Sequence, residues 1–336
     1  MRILRRAIKA ALVAAQMLIL SGGVWLFLES RAPRPAARPE PTVFEIGRGQ
    51  SVRAVAAELR ARGLVRKAKP FILLYQLFYA PRSLKAGEYE IPAAAAPREI
   101  LEVFIAGKVR LHPFTVPEGL TGAEIAEVFA AAGFGTRDEY LAAFAATGFI
   151  ALLDPRAADL EGYLFPETYH FAKGTSAEEA VERMTDQFKS VFRPSWRRRA
   201  AEIGLNVREV ATLASLIEKE TARPEEKPLV SAVFHNRLRL GMKLDCDPTI
   251  IYALKQLGPF EGRLKTKDLK LDSPYNTYLH AGLPPGPICN PGRGSLEAAL
   301  YPADVDFLFF VSKNDGTHVF SRTMKEHAAA VLEYQR

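Results

Sequence analysis

The sequence predicts an α+β fold with an N-terminal single transmembrane helix, a small β-α-α-β subdomain and a larger mixed α/β domain. Three observations support this prediction. A charge-free apolar run lies near the N-terminus, two β-rich segments flank two helical patterns before residue 97, and helix-start motifs alternate with β-rich segments from residue 98 onward. With 336 residues, 48% of them hydrophobic, the chain can bury a sizeable core.

The first element is an apolar segment that follows positive charge. Residues 10–28 contain no charged side chain and, at about 1.5 Å per helical residue, span roughly 28 Å, close to the hydrocarbon thickness of a bilayer. A cleaved signal peptide is the alternative, but no A-x-A site follows closely. Because four basic residues precede the run, we expect a cytoplasmic tail over 1–9, an uncleaved transmembrane helix over 10–28 and an exported body.

The net charge of +7 is concentrated near this helix. Residues 1–41 carry seven Lys or Arg and two Glu, so only +2 remains for the rest of the chain. No basic stripe with interleaved aromatic residues is left there, which argues against nucleic acid as a partner. The six histidines have no metal-ligating spacing and the glycines form no phosphate-binding motif, so we expect no metal and no other cofactor.

Two segments separate this helix from the larger domain. Residues 29–41 contain four prolines and no apolar periodicity, which is typical of an extended linker. Over 42–97 we predict a strand at "TVFEIGRG", a helix capped by Ser51, a second helix over about 69–79 and a strand at "AGEYEIP". This order is similar to that of a LysM-like subdomain, a small glycan-binding module. A purely structural unit is the alternative.

Residues 98–336 form the larger domain. "KVRLHPFTVPEG" reads as a strand, and "DFLFFVSKNDGTHVFS" near the C-terminus predicts a hairpin. Three pairs have the capping-box spacing that starts a helix: Thr121 with Glu124, Thr136 with Glu139, and Ser176 with Glu179.

A fourth such pair, Asn206 with Glu209, starts a helix at Val207 that carries two glutamates of contrasting surroundings. On a helical projection Glu218 lies in a strip of small residues, and Glu220 falls near the opposite pole. The small residues are Ala211, Ala214, Ser215 and Ala222.

Small neighbours let a ligand approach the helix and partly desolvate Glu218, which would raise its pKa and suit a general acid. The alternatives are a surface glutamate or a buried structural ion pair. For Glu220 we expect a solvated or ion-paired side chain.

Polar and aromatic residues cluster in the segments after Glu218. They are Asn236 in "VFHNRL" (233–238), Asp247 and Thr249 in "CDPTIIYAL" (246–254), and Tyr275, Asn276, Thr277 and Tyr278 in "DSPYNTYLHAGLPPGPICNPG" (272–292). Irregular loops of this composition are common walls of sugar clefts, because rings stack on pyranose faces and amides bond to hydroxyls. Each residue taken singly is equally compatible with turn formation or core packing.

Together with "EGYLFPETY" (161–169) and "LASLIEKET" (213–221), these segments resemble the endolytic murein transglycosylase, or YceG-like, family over essentially the whole chain. The resemblance implies a bacterial inner-membrane enzyme whose periplasmic body cuts nascent peptidoglycan strands internally and so ends their elongation. It implies Glu218 as the catalytic acid/base, and penicillin-binding proteins as partners through the family's cellular role. The alternative is a non-catalytic peptidoglycan-binding scaffold of the cell-wall synthesis machinery.

The implied reaction needs one carboxylic acid. It protonates the oxygen between N-acetylmuramic acid and N-acetylglucosamine, then takes the proton of the muramoyl C6 hydroxyl as a 1,6-anhydro ring closes. Glycoside hydrolases use a second carboxylate. Carboxylates that could fill that role are Glu167, Asp245, Asp247 and Asp272, so hydrolysis stays open. We expect Asp247 and Thr249 to order the cleft floor, and the Asn236 and 275–278 side chains to contact the sugar.

Cys246 and Cys289 lie in two of these motif loops and do not belong to the family's pattern. We expect them to lie close together, and in an oxidising compartment they could form a disulfide. A Cα separation beyond about 7 Å would exclude the bridge.

Overall fold

The structure, a computed structural model, describes residues 2–31, 40–260 and 262–335. The chain divides into two compact units, the first formed by residues 1–112 with 170–174 and the second by 113–169 with 175–336. The described residues contain thirteen α-helices and three two-stranded sheets. This content confirms the expected α+β class.

The first unit contains the predicted β-α-α-β order. Its elements are α1 (Arg2–Arg31), β1 (Thr42–Ile46), α2 (Val52–Ala61), α3 (Ala68–Phe78), β2 (Gly87–Ile91) and α4 (Pro97–Ala106). β1 and β2 pair antiparallel with Phe44 opposite Tyr89, and both rings pack against Phe104 of α4. Because α4 completes this core, the unit extends to His112 and does not end at residue 97 as we expected. Glycan binding by this unit stays a prediction.

Within α1, Leu4–Arg31 is long and apolar enough to cross a membrane, with a mean hydropathy of 2.0. Most of its side chains are exposed, and Leu26 near its C-terminal end is buried where the helix packs against α3 and α4. The helix continues three residues beyond the predicted end of the span. Residues 32–39 of the predicted linker lie outside the described residues.

The remaining elements build the second unit, except that Leu111 and His112 of β3 and residues 170–172 of β4 are counted in the first. They are β3 (Leu111–Thr115), α5 (Gly122–Ala131), α6 (Arg137–Phe144), β4 (Thr168–Ala172), α7 (Ala177–Val191), α8 (Pro194–Glu202), α9 (Val207–Glu220), α10 (Lys227–Arg239), α11 (Asp247–Leu257), α12 (Arg293–Leu300), β5 (Phe309–Ser312), β6 (His318–Ser321) and α13 (Met324–Tyr334). β3 pairs with β4, and β5 with β6.

Local signals in the sequence located several of these elements correctly. Thr121 and Thr136 form full capping boxes at α5 and α6, and Ser176 accepts the Glu179 N–H at the start of α7. The predicted hairpin is the antiparallel β5–β6 pair, in which Phe309 lies opposite Ser321.

Helix α9 is central to the second unit. It begins at Val207, where the Asn206 side chain accepts the Glu209 N–H at 3.0 Å, as predicted. Every residue from Val210 to Ile217 is buried, since α8, α10, α11 and α12 all pack against this helix.

The small-residue strip, along which we expected a ligand to approach α9, is covered by other parts of the chain over most of its length. Ser215, on that strip, accepts the Ile288 N–H through Oγ at 3.0 Å and the Cys289 thiol through its carbonyl at 3.4 Å. The small residues therefore admit the loop before α12. In the last turn of the helix Lys219 is exposed, and Glu218 and Glu220 are partly buried.

Candidate active site

The side chain of Glu218 lies in the last turn of α9 and is only 8% exposed. Its carboxylate receives donors from two other elements. Lys227 Nζ lies 3.2 Å from Oε1 and 3.1 Å from Oε2, Ser295 Oγ donates to Oε2 at 2.6 Å, and the Gly292 N–H donates to Oε2 at 3.1 Å. Each of these contacts stabilises the charged carboxylate.

Two of the donors place Glu218 at the N-terminus of α12. Gly292 is the N-cap of that helix and has no side chain to cap it, and Ser295 lies in its first turn. Unpaired N–H groups and the helix dipole make such an end favourable for a negative charge. The Glu218 carboxylate thus takes the place of a capping side chain on α12.

The third donor, Lys227, begins α10 and is 7% exposed. Its Nζ also lies 3.8 Å from Oε2 of a second carboxyl, that of Glu118. A nearly buried ion pair of this kind is stable only while both partners are present, since removing one leaves an uncompensated charge.

Glu118 belongs to the loop between β3 and α5, and its side chain is 51% exposed. Partial burial and the neighbouring Glu218 raise the pKa of Glu118, against the opposing effect of Lys227. The Glu118 carboxyl lies against Gly292, where any Cβ would overlap it. Glu118 is therefore the more solvent-accessible of the two carboxyls on Lys227.

The completely buried Asn290 joins the loops that carry Glu118 and Gly292. Its backbone exchanges hydrogen bonds with the Gly119 N–H and the Leu120 carbonyl, both at 2.9 Å. Its amide donates to the Leu120 carbonyl at 3.0 Å and to Glu161 at 2.9 Å, and accepts the Leu164 N–H at 2.9 Å. One side chain thus fixes three segments beside the carboxyl pair.

Glu161 supports the start of α5 from the other side of Asn290. Both of its oxygens accept the Gly122 N–H at 3.1 Å. Burial, opposed by that N–H, raises the pKa of Glu161 to about 8.

Four of the predicted site residues, Asn236, Thr249, Asn276 and Thr277, bond to neighbouring parts of the chain. Asn236 donates to the carbonyls of Val305 and Phe307, and Asn276 to those of Leu269 and Leu271, at 2.8 to 3.1 Å. The hydroxyls of Thr249 and Thr277 lie 3.0 Å apart and hold the Cys246 backbone. All four side chains are buried with protein partners, so they offer no free polar atom to a sugar in this structure.

Three other predicted residues are accessible but do not converge on Glu218. The Tyr278 hydroxyl donates to Asp247 at 2.6 Å, and both residues line a cavity of about 480 Å³ with Glu220. The Tyr275 ring packs against Tyr252, with centroids 4.9 Å apart, and Tyr252 lines a different cavity of about 620 Å³. Neither of these cavities is lined by Glu218.

Glu220 lies away from Glu218, as the projection indicated, but it is not a freely solvated side chain. Burial raises the pKa of Glu220 to about 7, against a hydrogen bond from Cys246, and Asp247 adds to the rise.

The two cysteines are buried and free, so the possible disulfide is not formed. Cys246 contacts Glu220, whereas the Cys289 thiol donates to the Ser215 carbonyl. Those two partners lie five positions apart on α9, which places them about 140° apart around the helix. Each thiol thus has its own partner, and burial raises the pKa of both.

Comparison with known proteins identifies the family of this chain. The YceG-like family matches residues 44–333 of this chain. The chain belongs to the YceG-like family. The resemblance found in the sequence motifs is therefore confirmed.

Individual relatives support the same assignment over most of the chain. A protein named endolytic murein transglycosylase from Bacillus subtilis (strain 168) is 32% identical, over 94% of this chain and 91% of its own. One of the same name from Streptococcus pneumoniae serotype 2 (strain D39 / NCTC 7466) is 28% identical over 94% of this chain, which spans only 63% of that protein. A crystal structure of a YceG-like protein from Listeria monocytogenes covers 87% of this chain with a TM-score of 0.58 and 31% identity.

Sequence reasoning missed Glu118, Lys227, Gly292 and Ser295 of this YceG-like chain. Glu118 lies in a Pro-Glu-Gly turn directly after β3, a signal that we read only as the end of a strand. Lys227 belongs to the charged stretch "ARPEEKPLV" (222–230), a composition typical of a solvated surface. The turn could have drawn attention to Glu118, whereas nothing local marks Lys227 as buried.

Proposed function

We propose that this protein is an endolytic peptidoglycan lytic transglycosylase with Glu218 as its catalytic acid and base. The observation that carries the proposal is the nearly buried Glu218 carboxyl, held by Lys227, Ser295 and the Gly292 N–H within the last turn of α9. Membership of the YceG-like family and relatives named endolytic murein transglycosylase support it.

The bond cleaved is that between N-acetylmuramic acid and N-acetylglucosamine. Glu218 gives its proton to the bridging oxygen as the bond from the muramoyl C1 to that oxygen breaks. The muramoyl C6 hydroxyl then attacks C1, and the Glu218 carboxylate takes the hydroxyl proton, so that a 1,6-anhydro ring forms and the acid is regenerated. Between the two steps, Lys227, Ser295 and the N-terminus of α12 stabilise the carboxylate.

The remaining assignments follow from the family and from accessibility. Asp247, Tyr275 and Tyr278 are the proposed substrate contacts. The buried Thr249 and Thr277 hold the Cys246 backbone next to Asp247, Asn276 accepts the Tyr278 N–H, and Asn236 fixes the 305–307 segment. With α1 in the bacterial inner membrane and the body in the periplasm, the enzyme would cut nascent strands near the membrane surface and end their elongation. Penicillin-binding proteins are the partners that this role implies.

The test uses the full-length chain in detergent with uncrosslinked glycan strands and mass spectrometry of the products. We expect the unmodified chain to cut strands internally and leave anhydro-muramic ends. The Glu218→Gln variant should keep its secondary structure but cleave no strands. Glu225→Gln, which alters an exposed carboxylate near α10, is the matched control and should remain active. Reducing ends would mean a hydrolase, and binding without cleavage by the unmodified chain would mean the scaffold alternative.

A further inference from the structure

The catalytic chemistry described above uses one carboxyl, yet Lys227 faces two. We propose that Glu118 is a positioning residue that shares one proton with Glu218 over Lys227 and so keeps Glu218 in its acid form until glycan binds. This inference rests on the proposed role of Glu218 as the catalytic acid.

The charges of the cluster require one extra proton for neutrality. Lys227 Nζ lies 3.1 Å from Glu218 and 3.8 Å from Glu118, so a single ammonium serves two carboxyls. With both carboxyls ionised the cluster is negative, although Glu218 and Lys227 are nearly excluded from water. Two carboxyls that share a site do not ionise independently, and one proton is retained by the pair.

Most groups that face Glu218 favour its anion, which is the wrong form for the first step. They are Lys227 from α10, and Ser295 and the Gly292 N–H from α12. Lys219, next to Glu218 in α9, donates its Nζ to the Gly119 carbonyl at 3.2 Å. The buried Cys289 thiol is neutral, because burial raises its pKa well above its ordinary value. Glu118 lies beside these groups and carries a negative charge. Of all the groups named here, it is therefore the one that favours a proton on Glu218.

The loop that bears Glu118 is shaped to hold this contact. Gly292 leaves room for the Glu118 carboxyl, which a Cβ at that position would overlap. Gly119 has φ +77°, a conformation that favours glycine, and a Cβ there would make ordinary van der Waals contact with Glu218 Cγ at 3.6 Å. Asn290 then fixes Gly119 and Leu120 through the backbone. Partial burial and Glu218 raise the pKa of Glu118, which agrees with a shared proton.

Glu118 and Lys227 would then act in opposite halves of the reaction. Glu118 favours the protonated Glu218 that attacks the glycosidic oxygen. Lys227 favours the carboxylate that exists between proton donation and ring closure. The proton from the C6 hydroxyl restores the starting charge, so the pair has the same number of protons before and after each turnover.

The test is the pH profile of kcat/KM for internal strand cleavage by the full-length chain. Glu118→Gln removes the neighbouring negative charge, so the alkaline limb should move down by about one pH unit, with activity retained at lower pH. Gly292→Ala, which displaces the Glu118 carboxyl while keeping it, should move the limb in the same direction. Lys227→Met should move it upward, and Glu225→Gln should leave it in place.

A uniform loss of activity at every pH in Glu118→Gln, or an unmoved alkaline limb, would overturn the inference. Thermal melting of each variant identifies any that fails to fold. Glu118→Gln is the decisive variant, because a half-exposed side chain is the least needed for folding. Activity in Glu218→Gln would instead refute the proposed function. An inactive Glu218→Gln together with an unmoved limb in Glu118→Gln would refute only the shared proton.

Discussion

Replacing Asn290 by alanine should destabilise the second unit more than any single surface change. The variant loses the two bonds that the amide donates to Leu120 and Glu161, each worth about 0.5–1.5 kcal/mol. It also leaves the buried Leu164 N–H without its acceptor, at a cost of about 1–3 kcal/mol. Together we expect a loss of about 3 kcal/mol in the free energy of unfolding.

Differential scanning calorimetry of the full-length chain in detergent measures this loss. For a unit of this size, about 3 kcal/mol lowers Tm by roughly 6–12 °C. Asn206→Ala is the matched control, because it removes one exposed helix cap worth about 1 kcal/mol and so lowers Tm by roughly 2–4 °C. A fall in Asn290→Ala no larger than that of the control would refute the assignment of Asn290 as the residue that joins the three segments.

Three further predictions concern the second unit and the apolar helix α1. Gly162→Ala should lower Tm more than Gly133→Ala, because both have positive φ but only at Gly162 would a Cβ overlap Pro287; equal shifts would contradict this. Glu161 has a pKa raised from 4.5 to about 8 in the fold, so folding retains a proton and stability falls as pH rises through this range. Glu161→Gln should make that fall shallower in denaturant titrations, and an unchanged slope would be contrary evidence. Ile19→Arg places a charge in the apolar part of α1 at a cost of about 2.5–3.5 kcal/mol, so a smaller fraction of the protein should be recovered with membranes in a flotation assay. An unchanged membrane fraction would contradict the role of α1 as the anchor.

The sequence predicted the elements that depend on local signals. The Asn206–Glu209 pair located the start of α9 correctly, since a cap involves residues only three positions apart. The β5–β6 hairpin was recognised for the same reason, because its turn and both strands lie in one short segment.

The surroundings of Glu218 were not predictable in this way. Periodicity along α9 distinguished a small-residue strip, but it could not tell whether a ligand or another part of the chain packs there. The strip accepts the Ile288 loop, and the partners of Glu218 come from α10 and α12. Such partners depend on tertiary packing, which the pattern of a single helix does not contain.

The amide residues show a second limit. Asn236 and Asn276 stand in polar, aromatic segments that suggested sugar contacts, yet each amide bonds two backbone carbonyls. In irregular segments, backbone carbonyls have no hydrogen-bond partner from a helix or a sheet, so the buried ones must accept hydrogen bonds from side chains. Amide side chains that are typical of binding loops are therefore also the side chains that hold such loops in place.

The most direct test of the account is the source of oxygen in the cleaved ends. Strands are digested by the full-length chain in oxygen-18 water, and the new muramoyl ends are analysed by mass spectrometry. If Glu218 drives ring closure by the C6 hydroxyl, the new ends are anhydro-muramic and contain no label, and Glu218→Gln forms none. Labelled reducing ends, or unlabelled anhydro ends formed at an unchanged rate by Glu218→Gln, would contradict the central claim.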